Sequence, residues 1–480
     1  MPEIPEEPVT QELLERVQTL VDQELWGQIS VELADLPAAD IAQLLAHYEE
    51  PNLSALFKCL PDELKPDVLS YLPSEAATEL AEALPAPAAA EIANDMAPDD
   101  AADILGELDK EVSAKIIEGM DEESADDVRR LMTYPEDSAG GIMTTELIEL
   151  NRDQTVLEAL DAIAKDPDDE HVFQVYITDQ AGVLLGSVTI WKLLRQKDRS
   201  QRLGDIMDTE ILSVTSDTDQ ETVAQTMSKY DLSVIPVVDD RGVLLGRITH
   251  DDAADIIQEE AEEDMLKLAG TDDDELGNVS AWRSCLYRLP WLFITLLGGA
   301  VTAAIMSSYN TTFKLVIILA SFIPTVMGMG GNAGIQSSVL MIREIASGTG
   351  RRHSLGSLFL HELRTGALMG LICGTGIFLC ALAMMYLTKA GQEALSIAGN
   401  GTSISIAAAP FFIAFIAGLS LFCAMTFAAG FGAIIPIILD RIHVDTAVAS
   451  GPFITVMDDI FAILIYYAVS AAMLMHFLPA

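Results

Sequence analysis

Residues 324–336, which read PTVMGMGGNAGIQ, interrupt a long apolar run with one proline, four glycines and two amides. Proline removes a backbone hydrogen-bond donor and glycine loosens a helix, so this stretch frees backbone carbonyl groups. Inside a bilayer, such carbonyls are tolerated only where they are buried in protein or line a water-filled cavity. A helix-packing seam of small residues is the alternative, although packing alone does not require Asn332 and Gln336 together. The stretch favours a pathway through the membrane.

Residues 451–459, which read GPFITVMDD, place two adjacent carboxylates several residues inside the last apolar run. Each costs about 2.5–3.5 kcal/mol in a membrane helix, so such residues usually face a pathway or a partner. A permanent salt bridge to Arg364 is one interpretation. The other is that Asp458 or Asp459 joins freed carbonyls and amides in an all-oxygen site, which suits Mg²⁺ or Ca²⁺ rather than Zn²⁺ or Cu. The oxygen chemistry favours a path for divalent cations.

Five apolar runs are long enough to cross about 30 Å of hydrocarbon at about 20 residues each. They are residues 289–309, 315–342, 357–387, 405–438 and 447–478. The sequence therefore predicts a five-helix α transmembrane domain over residues 281–480.

The loops between these runs carry the charges that predict orientation, because basic loops stay in the cytoplasm. Basic residues cluster before the first run and in the second and fourth loops: Arg283, Arg288, Arg343, Arg351, Arg352, His353, Arg441 and His443. The other two loops hold only Lys314, Lys389 and Glu393. The N-terminus begins MPEIPEE and lacks the basic and apolar regions of a signal peptide. We expect a multi-pass protein of a bacterial inner (plasma) membrane, with a cytoplasmic N-terminus and an outside C-terminus.

The formal net charge of −46 is concentrated in the N-terminal part of the chain. Of the 73 acidic residues 66 precede Ala281, against 18 of the 27 basic residues. Nucleic-acid binding is excluded as a function, because phosphates would be repelled. The five cysteines show neither a disulfide framework nor a thiolate metal motif.

A repeat of 12 residues runs through this acidic part. Leu60, Leu72, Leu84, Met96, Leu108, Met120 and Met132 are in register, and apolar residues recur eight positions later. Each unit holds one short helix and one turn, so units must stack to bury their apolar positions. Residues 36–135 are predicted to form an all-α helical solenoid, preceded by a flexible or helical segment, residues 1–35.

A second repeat follows. Residues 141–150, GIMTTELIEL, recur as 205–214, DIMDTEILSV, and GVLLG occurs at both 182–186 and 242–246. Each copy is predicted as strand-helix-strand-turn-strand-helix. The arrangement resembles an α/β pair of cystathionine-β-synthase-type (CBS) modules, here residues 136–200 and 201–258.

The resemblance to CBS pairs implies a possible adenine nucleotide site. Such pairs use a Thr followed three residues later by Asp at the ribose, which matches Thr249 and Asp252, whereas the first copy has Thr189 and Lys192. ATP bound as a regulatory ligand is one expectation, and regulatory packing without any nucleotide is the other.

An acidic connecting helix is predicted over residues 259–280, continuing from the last CBS helix. Carboxylates from Asp251 to Asp264 recur at i, i+3 and i+4 spacings, where like charges destabilise a helix. A divalent ion between such faces would relieve the repulsion, so the segment is a candidate cation sensor. The alternative is a solvated acidic linker.

Solenoid, CBS pair, acidic helix and five spans in this order resemble the MgtE family of magnesium channels. Four motifs carry the resemblance: residues 138–145 (SAGGIMTT), 288–292 (RLPWL), the pattern within 324–336, and 449–453 (ASGPF). The resemblance implies a homodimeric, Mg²⁺-selective channel, gated by cytosolic Mg²⁺, whose pore is lined by the second and fifth spans of both subunits. Asp459 matches the family's ion-coordinating aspartate, whereas Asp458 stands where relatives often have an uncharged polar residue.

The resemblance also supplies candidate residues. In the pore they are Asp459, Asp458 and the backbone near Gly328, Gly331, Asn332 and Ala333. In the Mg²⁺ sensor they are Asp99, Asp103, Asp219, Glu221, Asp231, Asp252, Asp255, Glu260, Glu263 and Asp264.

Two other functions stay open from the sequence. One is a CBS-regulated secondary transporter that exchanges a divalent cation (Mg²⁺, Co²⁺ or Mn²⁺) for H⁺ or Na⁺. The other is a membrane-tethered nucleotide-binding regulator without transport. An enzyme is not expected, since no activated nucleophile or acid–base pair can be named.

Overall fold

The computed structural model of this chain describes residues 11–34, 36–165, 173–271, 280–309, 317–346, 355–387, 409–442 and 451–477. The chain divides into two units, Met1–Glu260 and Ala261–Ala480. Residues 1–10 and most of the predicted loop charges lie outside the described residues, namely Lys314, Arg351, Arg352, His353, Lys389, Glu393 and His443.

The 12-residue repeat of the sequence corresponds to helices that begin every 12 residues. Five successive helices begin at residues 74, 86, 98, 110 and 122. Pro73 and Pro85 directly precede two of these helices and Pro98 begins a third, because the fixed φ of proline suits the first helical turn. The first unit begins with α1 (Gln11–Asp22), α2 (Trp26–Leu33), α3 (Ala38–Leu45), α4 (Asn52–Phe57), a 3₁₀ turn (Asp62–Leu64), α5 (Lys65–Ser70), α6 (Ser74–Ala83), α7 (Ala86–Asn94), α8 (Pro98–Glu107), α9 (Lys110–Gly119) and α10 (Glu122–Leu131).

The solenoid packs as two rows of helices. From α3 onward each helix contacts the next but one, as α6 contacts α8 and α7 contacts α9. The register positions Leu72, Met96, Leu108 and Met120 are buried. Met132 is 39% exposed, because no further repeat follows to cover it.

Two α/β modules complete the first unit. Each sheet has three strands, in which the first pairs parallel with the second and the second antiparallel with the third. The strands are β1 (Glu149–Asn151), β2 (Gln174–Thr178), β3 (Leu184–Thr189), β4 (Val214–Thr215), β5 (Val234–Val238) and β6 (Leu244–Thr249). The helices are α11 (Val156–Ile163), α12 (Ile190–Arg195), α13 (Leu203–Ile206), α14 (Gln220–Tyr230) and α15 (His250–Ala269).

The two modules exchange their leading segments. Thr144, which precedes β1 of the first module, pairs with Arg247 on β6 of the second. Asp208, which precedes β4 of the second module, pairs with Ser187 on β3 of the first. The segment before β1 therefore pairs with the sheet of the second module, and the segment before β4 pairs with the sheet of the first.

The acidic helix α15 is continuous over 20 residues from His250 to Ala269. It covers the first half of the predicted connecting helix, and residues 272–279 lie outside the described residues.

The second unit holds α16 (Ala281–Ser308), α17 (Ile317–Ala320), α18 (Ile323–Ala346), α19 (Leu355–Leu387), α20 (Ala409–Arg441) and α21 (Pro452–Phe477). In the part of the chain that is described, four helices are long and apolar enough to cross a membrane: α16, α19, α20 and α21. Helix α18 has 24 residues, but its four glycines, two amides and two serines make it more polar. The fifth predicted span stays a prediction.

Helices α19 and α20 meet through glycines. A Cβ atom on Gly370 would lie 2.9 Å from the carbonyl oxygen of Phe422, and one on Gly374 would lie 2.6 Å from that of Gly418. Small residues at spacings of four allow this backbone approach. Gly376, on the same helix, has nothing within 4 Å of its Cβ position.

We expect Gly374→Leu to destabilise the second unit by about 1–3 kcal/mol, because the side chain would collide with the α20 backbone. Thermal unfolding of the purified chain in detergent measures the effect. Gly376→Leu is the matched control and should leave the unfolding temperature nearly unchanged. Equal losses in both variants would contradict the described α19–α20 packing.

Candidate functional site

Asp459 and Gly331 lie side by side in the second unit. A Cβ atom on Gly331 would lie 3.4 Å from Asp459 Oδ1 and 3.7 Å from Thr455 Cγ2. Asp459 is half-buried on α21, and Gly331 is buried on α18. The structure thus brings together the two stretches that the sequence singled out.

Helix α18 presents a polar face at the surface of the single chain. Gly328, Asn332 and Gln336, spaced four residues apart, are exposed, and nothing lies within 4 Å of the Cβ position of Gly328. Ala333 is buried in the apolar core, away from this face. The packing-seam interpretation also holds in part, because Gly330 approaches Ala462 at 2.8 Å from its Cβ position.

The side chain of Asp458 faces a different part of α18 from that of Asp459. The Asp458 side chain is fully buried against Gly334, where a Cβ atom would collide with Oδ2. Within the described residues neither carboxylate oxygen has a hydrogen-bond partner, and no ion pair joins Arg364 to Asp458 or Asp459.

The first unit contains a second candidate site, an acidic cleft of about 460 Å³ between α8, α15 and the segment that precedes β1. Nine carboxylates line it: Asp99, Asp100, Asp103, Glu107, Glu136, Asp137, Asp252, Asp255 and Glu259. No lysine or arginine belongs to its described lining.

Burial and mutual repulsion raise the pKa values of three acids on α8 that line the cleft, Asp99, Asp100 and Asp103. Burial and the charges of Asp100 and Asp252 hold the pKa of Asp99 well above its usual range. Burial, then repulsion by Asp252, raises the pKa of Asp100 to about 6. Asp103 is solvent-accessible, yet desolvation and the charges of Asp100 and Glu136 raise its pKa to about 7. The cleft therefore disfavours full ionisation.

The predicted sensor residues separate into two groups. Asp99, Asp103, Asp252 and Asp255 line the acidic cleft, and Glu260 accepts a 2.7 Å hydrogen bond from Gln220. Asp219 caps α14 by accepting from the backbone of Glu221 and Thr222, Glu221 accepts from Gln225, and Asp231 ends the helix in the left-handed conformation at φ 51°. Glu263 pairs with Lys267 at 2.5 Å, and Asp264 is half-buried on α15.

Sequence reasoning did not name four lining acids, Asp100, Glu107, Glu136 and Asp137, whereas Glu259 belongs to the segment from Asp251 to Asp264 that was expected to sense cations. Glu107 follows Asp103 by four residues on α8, so helical spacing could have revealed it. Glu136 and Asp137 follow the solenoid without a repeating pattern, and only the packing of the unit brings them in.

Thr249 and Asp252, the predicted ribose pair, are joined to each other. Asp252 Oδ2 accepts 2.6 Å and 3.0 Å hydrogen bonds from the Thr249 hydroxyl and backbone amide. In the first module Lys192 Nζ instead pairs with Asp208 at 2.7 Å.

Among the described residues, no three Asp, Glu, His or Cys side chains converge closely enough to ligate one metal directly. A cation in the acidic cleft would therefore keep much of its water, as Mg²⁺ commonly does because it dehydrates reluctantly.

Comparison with known families agrees with this layout. The family described as the divalent cation transporter MgtE matches residues 323–469, the MgtE intracellular N domain matches 36–137, and the CBS domain matches 139–198 and 203–259. The chain belongs to the MgtE family. The resemblance predicted from the motifs is confirmed.

Curated MgtE relatives are named magnesium transporters. One from Enterococcus faecalis is 34% identical over 356 residues, covering 74% of this chain and 73% of the relative. One from Thermus thermophilus is 33% identical over 354 residues, covering 72% of each. These relatives are named as transporters and not as enzymes.

Solved MgtE-related structures give weaker likenesses. The soluble part of a magnesium transporter is 28% identical, with a TM-score of 0.47, and covers 52% of this chain and 99% of that structure. The cytosolic domain of an MgtE Mg²⁺ channel in complex with ATP is 30% identical, with a TM-score of 0.46, and covers 51% and 98%.

We expect the first unit to lose stability as pH rises in the absence of divalent cations. Five of the cleft acids have folded pKa values above their ordinary values, namely Asp99, Asp100, Asp103, Asp252 and Asp255. The folded unit therefore binds more protons than the unfolded chain. Their stabilisation is complete below about pH 4 and is lost as pH rises towards about 7. Thermal unfolding of the whole chain in chelator, from pH 5 to 8, measures the trend.

Asp99→Asn and Asp103→Asn should each flatten this pH dependence and raise the unfolding temperature at pH 8, by about 2–4 °C for each kcal/mol relieved. Mg²⁺ should have the same effect on the wild type. Glu118→Gln, an exposed acid on α9, is the control and should retain the wild-type slope. An unchanged slope in the cleft variants would contradict the repulsion.

Proposed function

We propose that this chain carries Mg²⁺ across a bacterial inner membrane through a path lined by α18 and α21. The observation that supports this most is the Asp459 carboxylate beside Gly331 of α18, a helix whose Asn332 and Gln336 are exposed. Carboxylate and amide oxygens are ligands that Mg²⁺ prefers.

A second copy of the chain completes this path. The polar face of Gly328, Asn332 and Gln336 would be costly against lipid, and a homodimer turns it towards a partner's identical face. One Asp459 balances half the charge of Mg²⁺, whereas two balance all of it. Because Mg²⁺ gives up water reluctantly and requires octahedral geometry near 2.0–2.1 Å, the pair would hold a largely hydrated ion.

Gating by cytosolic Mg²⁺ is supported by the acidic cleft. Mg²⁺ in the cleft would screen the acids of α8 against those of α15 and hold the two helices together. Without Mg²⁺ the repulsion favours separation. Such a switch requires stronger binding to the closed state, and the nine carboxylates could supply it.

Within the second unit, the end of α15 lies against the start of α21. Near the C-terminal end of α15, the carbonyl oxygen of Leu268 lies 2.6 Å from the Cβ position of Gly451, directly before α21. The Cβ position of Gly270 lies 2.8 Å from Pro452 Cγ. A shift of α15 would therefore press on the start of the helix that carries Asp459.

The membrane potential supplies the driving force for a channel, about 4.6 kcal/mol per 100 mV for a divalent ion. A coupled exchanger for H⁺ or Na⁺ is the alternative. A reversal potential that follows the Mg²⁺ gradient alone favours the channel, and one that shifts with pH or Na⁺ favours exchange. The orientation, with a cytoplasmic N-terminus and an outside C-terminus, belongs to the same proposal.

ATP at the CBS pair is a separate part of the proposal. It is supported by Thr249 and Asp252, placed together at the start of α15. Asp252 also lines the acidic cleft, so nucleotide and Mg²⁺ would act on one helix. Loss of ATP binding in Thr249→Ala, with Mg²⁺ binding retained, tests it.

We expect Asp459→Asn to reduce Mg²⁺ flux into proteoliposomes by at least about tenfold, because it removes a charge-assisted ligand of about 1.5–3 kcal/mol. Flux is measured with a Mg²⁺ dye under an imposed potential. Asp440→Asn, at the exposed end of α20, should retain wild-type flux. Undiminished flux in Asp459→Asn would refute the path.

We expect Asp103→Asn to raise the cytosolic Mg²⁺ concentration that halves the flux, by about threefold to tenfold, since the cleft loses one charge. Flux at low cytosolic Mg²⁺ should be unchanged, which separates sensing from permeation. In the control Glu118→Gln, cytosolic Mg²⁺ should inhibit the flux at the same concentration as in the wild type. If cytosolic Mg²⁺ inhibited the double variant Asp99→Asn with Asp103→Asn as it inhibits the wild type, the acidic cleft would be refuted as the sensor.

A further inference from the structure

Three polar side chains are fully buried inside the second unit. Asp458 is 0% exposed, Ser337 is 1% and Ser338 is 0%. Both Asp458 carboxylate oxygens and both serine hydroxyls have no hydrogen-bond partner within the described residues. Leaving one such group unsatisfied costs about 1–3 kcal/mol, and more when the group is charged.

Other hydroxyls in the same unit are satisfied. Thr302, Thr375 and Thr426 each donate to the carbonyl four residues earlier, at 2.9, 2.7 and 2.7 Å. Ser420 and Ser470 bond to each other at 3.1 Å. A hydroxyl in a helix can donate to the carbonyl oxygen four residues earlier, and these threonines do so. Ser337 and Ser338 do not form this bond.

The three groups share one region of α18. The Asp458 carboxylate occupies the space where Gly334 lacks a side chain. Ser337 and Ser338 follow Gly334 by three and four residues, and such positions are neighbours about 5–6 Å apart on a helix. Backbone of α20 closes the region from another direction, because a Cβ atom on Gly432 would collide with the Gly334 carbonyl oxygen.

We propose that Asp458, Ser337 and Ser338 form a site for a small monovalent cation, Na⁺, within each subunit. One carboxylate neutralises one positive charge, whereas a divalent ion would leave a net charge in apolar surroundings, which costs several kcal/mol. The hydroxyls supply neutral oxygen ligands. The site is sealed from solvent, so a hydrated Mg²⁺ does not fit.

This Na⁺ site is distinct from the proposed Mg²⁺ path. The Asp459 carboxylate lies beside Gly331, and that of Asp458 lies against Gly334. Asp459 is partly exposed, and Asp458 is not. Na⁺ therefore neutralises Asp458 where α18, α20 and α21 pack, and transport through the Asp459 path does not consume it.

The test is thermal unfolding of the full chain in detergent, in chelator, with NaCl or N-methyl-D-glucamine chloride at equal ionic strength. We expect Na⁺ to raise the unfolding temperature of the wild type in a saturable way. Asp458→Asn should lose the response and melt at or above the Na⁺-loaded wild type, because an amide needs no counter-ion. A role limited to packing predicts lower stability instead.

Asp459→Asn is the matched control, an adjacent carboxylate that should retain the Na⁺ response. Ser337→Ala with Ser338→Ala keeps the charge but removes two ligands, and should raise the half-saturating Na⁺ concentration about tenfold or more, equivalent to about 1.4 kcal/mol. If Asp458→Asn does not fold, the double serine variant still tests the proposed Na⁺ site.

Three results would overturn the proposal: equal unfolding temperatures in Na⁺ and N-methyl-D-glucamine, a full Na⁺ response in Asp458→Asn, or millimolar Mg²⁺ replacing Na⁺. The first indicates a neutral carboxylic acid, and the last assigns Asp458 to the divalent path. Failure of the Mg²⁺ flux experiment would leave this result unaffected.

Discussion

Removing a carboxylate from water without a cationic side chain costs several kcal/mol, and this chain does so in both of its units. In the acidic cleft Asp99 is buried among eight other carboxylates, and in the second unit Asp458 is enclosed by helices. Such charges are stabilised by protons or by metal cations. We therefore expect the packing of each unit to respond to the ions around it, and the two sites differ in exposure, since Asp103 is exposed and Asp458 is buried.

Features that depend on neighbouring residues could be predicted from the sequence. The period of 12 fixed where helices begin, and the glycines and carboxylates inside apolar runs identified α18 and α21. Which side chains of α18 face outward depends on the phase of the helix, so the side chain of Ala333 is buried in the apolar core whereas the neighbouring Asn332 is exposed. Apolar content alone does not establish α18 as a membrane span, because the residues suited to a polar path lower its hydropathy.

Features that depend on distant packing could be predicted only in part. Asp99, Asp103, Asp252 and Asp255 were expected in the sensor and line the acidic cleft, whereas Asp219 and Asp231 are at the ends of α14. An acidic residue that caps a helix and one that faces a cleft have the same sequence signature, since aspartate suits both. Glu136 and Asp137 join the cleft through folding of the whole unit, which no local pattern encodes.

The exchange of leading segments between the two α/β modules bears on how such a pair could originate. The turns at Gly182 and Gly242 also bond reciprocally, with Leu184 donating to Gly242 and Leu244 to Gly182 at 2.9 and 3.0 Å. In this arrangement each module adds a segment to the other. Two identical chains form the same arrangement when they swap an element. A single module encoded by an ancestral half-length gene would have associated with its own twin by these same contacts. Duplication and fusion would then have converted an intermolecular partnership into an intramolecular one, leaving each half free to diverge, as Lys192 and Asp252 have at equivalent positions.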